Sequence, residues 1–136
     1  MASIHKDIPI DANADAVWAA VRDFGAVDRL APEFVTESRL DGDARVVTFH
    51  NGNVARELLV DCDEVRRRLA YAIVNERVRH YNASVQVTGD GGTFSRIVWT
   101  VDVLPNEVAP YIEGQMDIAA LAMQRALSRA KSAKAS

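Results

Sequence analysis

The sequence predicts an α+β fold, in which a strand and a short helical stretch precede a run of antiparallel strands closed by one long helix. Three observations carry this reading. Apolar residues recur with helical spacing from Ala14 to Val21, with a period of two from Val35 onward, and with helical spacing again from Val108. A sheet of this kind has one apolar face to bury, and the last helix is the element available to bury it.

Ile4 to Ile10 reads as the first strand, with Ile4, Ile8 and Ile10 separated by polar residues. Asn13 or Asp11 can cap the helix that follows, and Asp15 suits its positive end. Ala14, Val17, Trp18 and Val21 form its apolar stripe, and Gly25 after Phe24 suggests a C-cap or a kink. Val27 to Ala31 reads as one further helical turn ahead of Pro32.

Strands are expected over Val35 to Leu40, Ala44 to Phe49, Val54 to Asp61 and Arg68 to Val74. Asp41-Gly42-Asp43 and Asn51-Gly52 are turn signals, because Asn and Gly tolerate positive φ. The stretch RHYNASVQVTGDGGTFSRIVWTVDVLP supplies a last hairpin around Gly89-Asp90-Gly91-Gly92, for about seven strands in all. Pro105-Asn106-Glu107 opens the closing helix. Val108, Ile112, Met116, Ala119, Met123 and Ala126 follow its buried stripe, and Tyr111, Ile118 and Ala122 are expected to widen it. The tail from about residue 129 is small and basic and is expected to fray.

At 136 residues, without repeat or linker, the chain reads as one domain over residues 1–136. A formal net charge of −3 leaves no basic field to bind a phosphate backbone, so nucleic acid is not an expected partner. Cys62 is the only cysteine, which excludes an intrachain disulfide. No apolar run reaches the roughly 20 residues of a membrane-spanning helix, and MASIHKDIPI lacks the apolar core of a secretory signal. A soluble cytoplasmic protein, monomer or homodimer, is the expectation. His5, His50 and His80 are scattered without ligand spacing, so no metal and no cofactor is expected. The Gly89–Gly92 turn joins two strands and opens no helix, so it is not a phosphate loop. Asp61, Asp63 and Glu64 precede three arginines and read as a solvated turn.

The segments IPIDANADAVWAAVRDFG, VARELLVDCDEVRRRLAYAIV and HYNASVQVTGDGGTFSRIVWTVDVLP, in this order, resemble the START-like helix-grip superfamily, which includes the bacterial polyketide cyclase/dehydrase-like proteins. The chain is similar, more distantly, to the plant abscisic acid receptors. The resemblance implies a curved sheet wrapped around the C-terminal helix with an apolar cavity between them. It also implies that Glu57 and Tyr81 fall where pocket-lining polar residues sit. Leu30 stands where many cyclase-like relatives carry tryptophan, and FHNGNVAR lacks the receptors' proline-containing gate loop, so no hormone-style lid is expected.

Parity puts Tyr81, Ala83, Val85 and Val87 on one face and Ile97, Trp99, Val101 and Val103 on the matching face of the next strand. Tyr81 and Trp99 each offer a rigid apolar surface with one polar tip, which serves a core or a pocket wall equally. Glu57 shares a face with Leu59 and opposes Arg56, Leu58 and Val60, so pattern leaves its direction open. Facing inward, an isolated carboxylate loses hydration and its pKa rises unless a donor pairs with it. It could then hold a ligand hydroxyl or act as acid or base. Tyr71, Ile112, Gln115 and Met116 complete the candidate ligand-binding set with Glu57, Tyr81 and Trp99, and Glu57 is the catalytic candidate. The function expected is binding of a small hydrophobic molecule, lipid-, isoprenoid- or polyketide-like, as carrier or sensor. The alternatives are a cyclase or dehydratase using Glu57, and a co-chaperone or ribosome-associated interaction module in which the cavity is incidental.

Overall fold

In a computed structural model of the chain, residues 1–135 are described in their backbone and residues 1–128 in their side chains. The expected fraying from residue 129 falls on side chains outside the described residues. Strand β1 (Ala2–Ile10) is followed by helix α1 (Ala14–Arg22), a 3-10 turn (Phe24–Ala26) and the short helix α2 (Val27–Leu30). Strands β2 (Val35–Asp41), β3 (Ala44–Phe49), β4 (Val54–Asp63), β5 (Arg68–Ile73), β6 (His80–Gly89) and β7 (Ser95–Leu104) come next. A second 3-10 turn (Asn106–Val108) leads into helix α3 (Ala109–Ala135). The strands form one antiparallel sheet of seven in the order β1-β7-β6-β5-β4-β3-β2, so every neighbour but one is a sequential hairpin. This is the expected helix-grip arrangement, a sheet gripping the last helix. Among the described residues no helix is long and apolar enough to cross a membrane.

Asn13, not Asp11, caps α1, with its Oδ1 accepting from the Asp15 N–H at 2.7 Å. Gly25 is neither a left-handed cap nor a kink. It lies in the 3-10 turn against β2 without a positive φ, and a Cβ there would stand 2.7 Å from Cγ of the exposed Leu40 side chain, which would have to swing aside. Ala14, Val17, Trp18 and Val21 bury the stripe of α1 as expected. Gly89, at the end of β6, lets α1 approach, since a Cβ there would come within 2.8 Å of Ala14 Cβ.

The core is built from the inward rows of β1, β6 and β7 with the buried face of α3, where Met116, Ala119, Ala122 and Met123 are enclosed. Tyr111 and Ile118, expected on that face, are 54% and 40% exposed. The buried stripe is narrower because the sheet embraces only one side of the helix. Four contacts fasten α3 to β1 and the residue that follows it. The Lys6 ammonium reaches Glu113 at 3.0 Å and Asp117 at 2.7 Å, one helical turn apart. Gln124 donates to the Pro9 carbonyl at 3.0 Å, and the Asp11 N–H donates to the Ser128 hydroxyl at 3.3 Å. Near the opposite edge, Arg125 pairs with Glu33 at 2.7 Å.

Candidate functional site

Between the sheet and α3 lies a cavity of about 490 Å³. Val47, Leu69, Val85, Met116, Ala119 and Met123 are among its apolar lining, contributed by both sheet and helix. Its rim is made by the β3–β4 turn at Asn51 and Asn53, the β5–β6 loop at Asn75 and Arg77, and the start of α3 at Glu107 and Tyr111. The first rim segment follows directly from the Asn-Gly turn, where Gly52 takes φ +87 and Asn51 Oδ1 accepts from the Asn53 N–H at 3.0 Å. A curved sheet cannot fit a straight helix along its whole width, and the small residues Ala55 and Ala119 in the wall add to the space left over.

Deeper in the wall lies a buried ion pair. Arg45 on β3 and Glu57 on β4 stand directly opposite in the antiparallel register, and both point inward. They are only 4% and 6% exposed, and Arg45 Nε donates to Glu57 Oε1 at 2.7 Å. Arg45 Nη1 also donates to the Phe24 carbonyl at 3.1 Å. The guanidinium lies 4.2 Å from the Phe24 ring centre and 4.9 Å from that of Tyr71. A planar, weakly hydrated cation suits such rings better than an ammonium would. Glu57 is therefore not an isolated carboxylate; a donor pairs with it.

Tyr71 and Tyr81 face the same cavity. Burial pushes both phenols above the ordinary tyrosine range; the Glu57 charge adds to this at Tyr71, and Tyr71 and Glu57 add to it at Tyr81. Both hydroxyls thus remain protonated donors at neutral pH. The Trp99 indole N–H acts on the Tyr71 oxygen and lowers its pKa somewhat, yet the geometry completes no hydrogen bond, and Nε1 is buried without a partner. Tyr81 makes no hydrogen bond among the described residues, nor does Gln115, which lines the helix side. The cavity is thus mostly apolar, with unused O–H and N–H groups beside an internally neutralised charge pair.

A family model described as polyketide cyclase / dehydrase and lipid transport matches residues 1–133. The chain belongs to that family. No curated protein matches the sequence. Among solved structures, a protein from Thermobifida fusca is 26% identical with a TM-score of 0.78, covering 95% of each chain. Norcoclaurine synthase from Thalictrum flavum is 20% identical with a TM-score of 0.71, covering 91% of this chain and 84% of its own. A START superfamily protein from Mycobacterium smegmatis is 14% identical with a TM-score of 0.71, covering 93% and 94%. At such identities the last two likenesses speak for the fold alone.

Within this member of the polyketide cyclase/dehydrase and lipid transport family, all seven sequence-selected residues, Glu57, Tyr71, Tyr81, Trp99, Ile112, Gln115 and Met116, lie in the cavity wall. Sequence reasoning missed Arg45, although it shares parity with the inward Val47 and Phe49, a signal that could have found it. It also left Leu59 beside Glu57; the two share one register with β5, yet Leu59, past the last pair with β3, is 39% exposed. The acidic turn is more than solvated. Glu64 accepts from Arg22 Nε at 2.7 Å and from Trp18 Nε1 at 3.2 Å, which ties α1 to the β4–β5 connection. Among the described residues no group of three or more His, Cys, Asp and Glu side chains is placed to hold a metal ion.

Proposed function

We propose that the chain binds a small, largely apolar molecule, lipid-, isoprenoid- or polyketide-like, in the cavity between sheet and α3, as carrier or sensor. The observation that carries the reading is the cavity itself. Its volume of about 490 Å³ lies in the usual range for ligand sites, and apolar walls with a few convergent polar groups are their usual chemistry. In this reading Tyr81 and Tyr71 orient the ligand through their O–H groups, with Glu57 and Gln115 beside them. Trp99 supplies a flat wall, and Ile112 and Met116 close the helix side. Burial of ligand area supplies most of the affinity, at roughly 25 cal/mol per Å² before the costs of association.

Native mass spectrometry of freshly purified protein, followed by a thermal-shift panel of lipophilic compounds, tests this. A ligand at a hundred times its dissociation constant should add about 2.7 kcal/mol of stability. No bound species and no shift across a broad panel would sink the reading. A ligand that binds Tyr81→Ala/Glu57→Gln as tightly as the wild type would move the site elsewhere.

The second reading is a cyclase or dehydratase reaction with Glu57 as acid or base. It has to explain how a carboxylate already held by Arg45 would take up or release a proton, and turnover with a bell-shaped pH profile is the result that would favour it. An interaction module predicts a filled interior, which a cavity of this volume argues against.

A further inference from the structure

We infer that the inner end of the cavity selects uncharged ligands, with a carbonyl or hydroxyl as their polar group, because Glu57 cancels the charge of Arg45. The inference rests on the cavity-binding reading above and specifies the ligand class of that same site.

Two cationic side chains line the cavity. Arg77 is exposed at the rim, whereas Arg45 is the cation of the interior. A buried guanidinium in an apolar pocket would ordinarily mark a carboxylate site, since charge-assisted, bidentate pairing is what arginine does best. Here Glu57 already balances that charge, although Nη2 keeps no acceptor among the described residues. Nε is held by Glu57 and Nη1 by the Phe24 carbonyl, and the faces lie against two aromatic rings. A second carboxylate would share one cation with Glu57 and leave a net negative charge in a largely apolar space, a costly arrangement.

The groups left over fit a neutral oxygen. The Tyr71 and Tyr81 hydroxyls are donors that keep their protons, and both lack an acceptor among the described residues. Glu57 Oε1 faces Arg45, and Oε2 has no donor among the described residues. A carbonyl oxygen accepts from the phenols. A hydroxyl accepts from one and donates to the carboxylate. The same phenols would hold an anion if the Arg45 charge were uncancelled, so Glu57 is the residue that sets the choice. It acts through Arg45, as a positioning and charge-balancing residue, and no bond is made or broken.

The test compares decanol, decanone, methyl decanoate and decanoate by calorimetry at neutral pH, on the wild type and on Glu57→Gln. The wild type should bind the three neutral probes and take decanoate at least about tenfold more weakly, the scale of a hydrogen bond to a charged group. In Glu57→Gln the preference should invert, with decanoate gaining about tenfold or more. Simple exclusion of charge from an apolar space would give the first result but not the second. Decanoate that binds the wild type as tightly as the neutral probes and loses that affinity in Arg77→Ala lies at the rim and leaves the inference standing; equal affinity that persists in Arg77→Ala overturns it. An unchanged preference in Glu57→Gln overturns it too, while the cavity reading survives on the neutral probes. If none of the four probes binds the wild type, it is the cavity reading that falls, and the inference with it. Should Glu57→Gln fail to fold alone, decanoate and not decanol should restore its folded circular dichroism; failure to do so counts against the inference.

Discussion

Removing one partner of the Arg45–Glu57 pair should cost far more than removing both. In Arg45→Met the methionine fills much of the space, but Glu57, 6% exposed, loses the donor 2.7 Å away and is left buried without its partner. Leaving such a charge unpaired costs about 3–5 kcal/mol, and the lower end applies because the neighbouring cavity can admit some water. At roughly 3–4 °C per kcal/mol for a chain of this size, the melting temperature should fall by about 10 °C or more. Arg45→Met/Glu57→Leu carries no charge and similar volume, and should lie within about 1 kcal/mol of the wild type, or above it. Urea unfolding followed by circular dichroism at pH 7, with unchanged m, measures both. A single variant within about 1 kcal/mol of the wild type, or a double variant as unstable as the single, would refute the claim that this pair is buried and mutually dependent.

Three other outcomes are expected. Glu64 is held below the ordinary carboxylate value, chiefly by its hydrogen bond from Arg22 and then by that from Trp18. Its stabilising contribution is therefore full above pH 4.5 and lost as pH falls through the lowered value; the acid change in Trp18 fluorescence, read in a Trp99→Phe background, should disappear in Glu64→Gln. Because burial raises Tyr71 and Tyr81, the tyrosinate absorbance of the folded protein just above pH 10.0 should stay well short of the amplitude reached on unfolding, and full amplitude without unfolding would contradict their burial. Gly89→Ala should cost about 1–3 kcal/mol by thermal melting, since its Cβ would meet Ala14 at 2.8 Å, whereas Gly42→Ala, with open space around it, should show only the smaller strain of a positive φ.

The strands, their turns and the closing helix were legible because each is a local pattern: parity, an Asn-Gly turn, a helical stripe. Tyr81 and Trp99 were legible by strand parity and Ile112 and Met116 by the helical stripe, whereas Glu57 came only from the family resemblance, because parity left its direction open. What sequence could not supply was anything set by two strands at once. Arg45 meets Glu57 only through the β3–β4 register, and Leu59, in the same β5 register as Glu57, lies past the last pair with β3 and is exposed. The sequence pattern could also say that α3 has an apolar face, but not that the sheet leaves Tyr111 and Ile118 outside its grip. Cavity volume likewise follows from curvature, which is written in no single residue.

The fastening of α3 to β1 bears on how open one border of the sheet is to another strand. β1 is a border of the sheet, and a bare border strand invites another chain to add itself. The final stretch offers little to such a visitor. Pro9 has no N–H to give, its carbonyl is occupied by Gln124, and the Asp11 N–H is occupied by Ser128. Lys6 sits in the inward row between Ile4 and Ile8, so a stray strand drawing β1 away from α3 would have to strip an ammonium from two carboxylates. The helix that roofs the cavity thus also covers one of the sheet's two borders, leaving less of β1 for another strand to pair with.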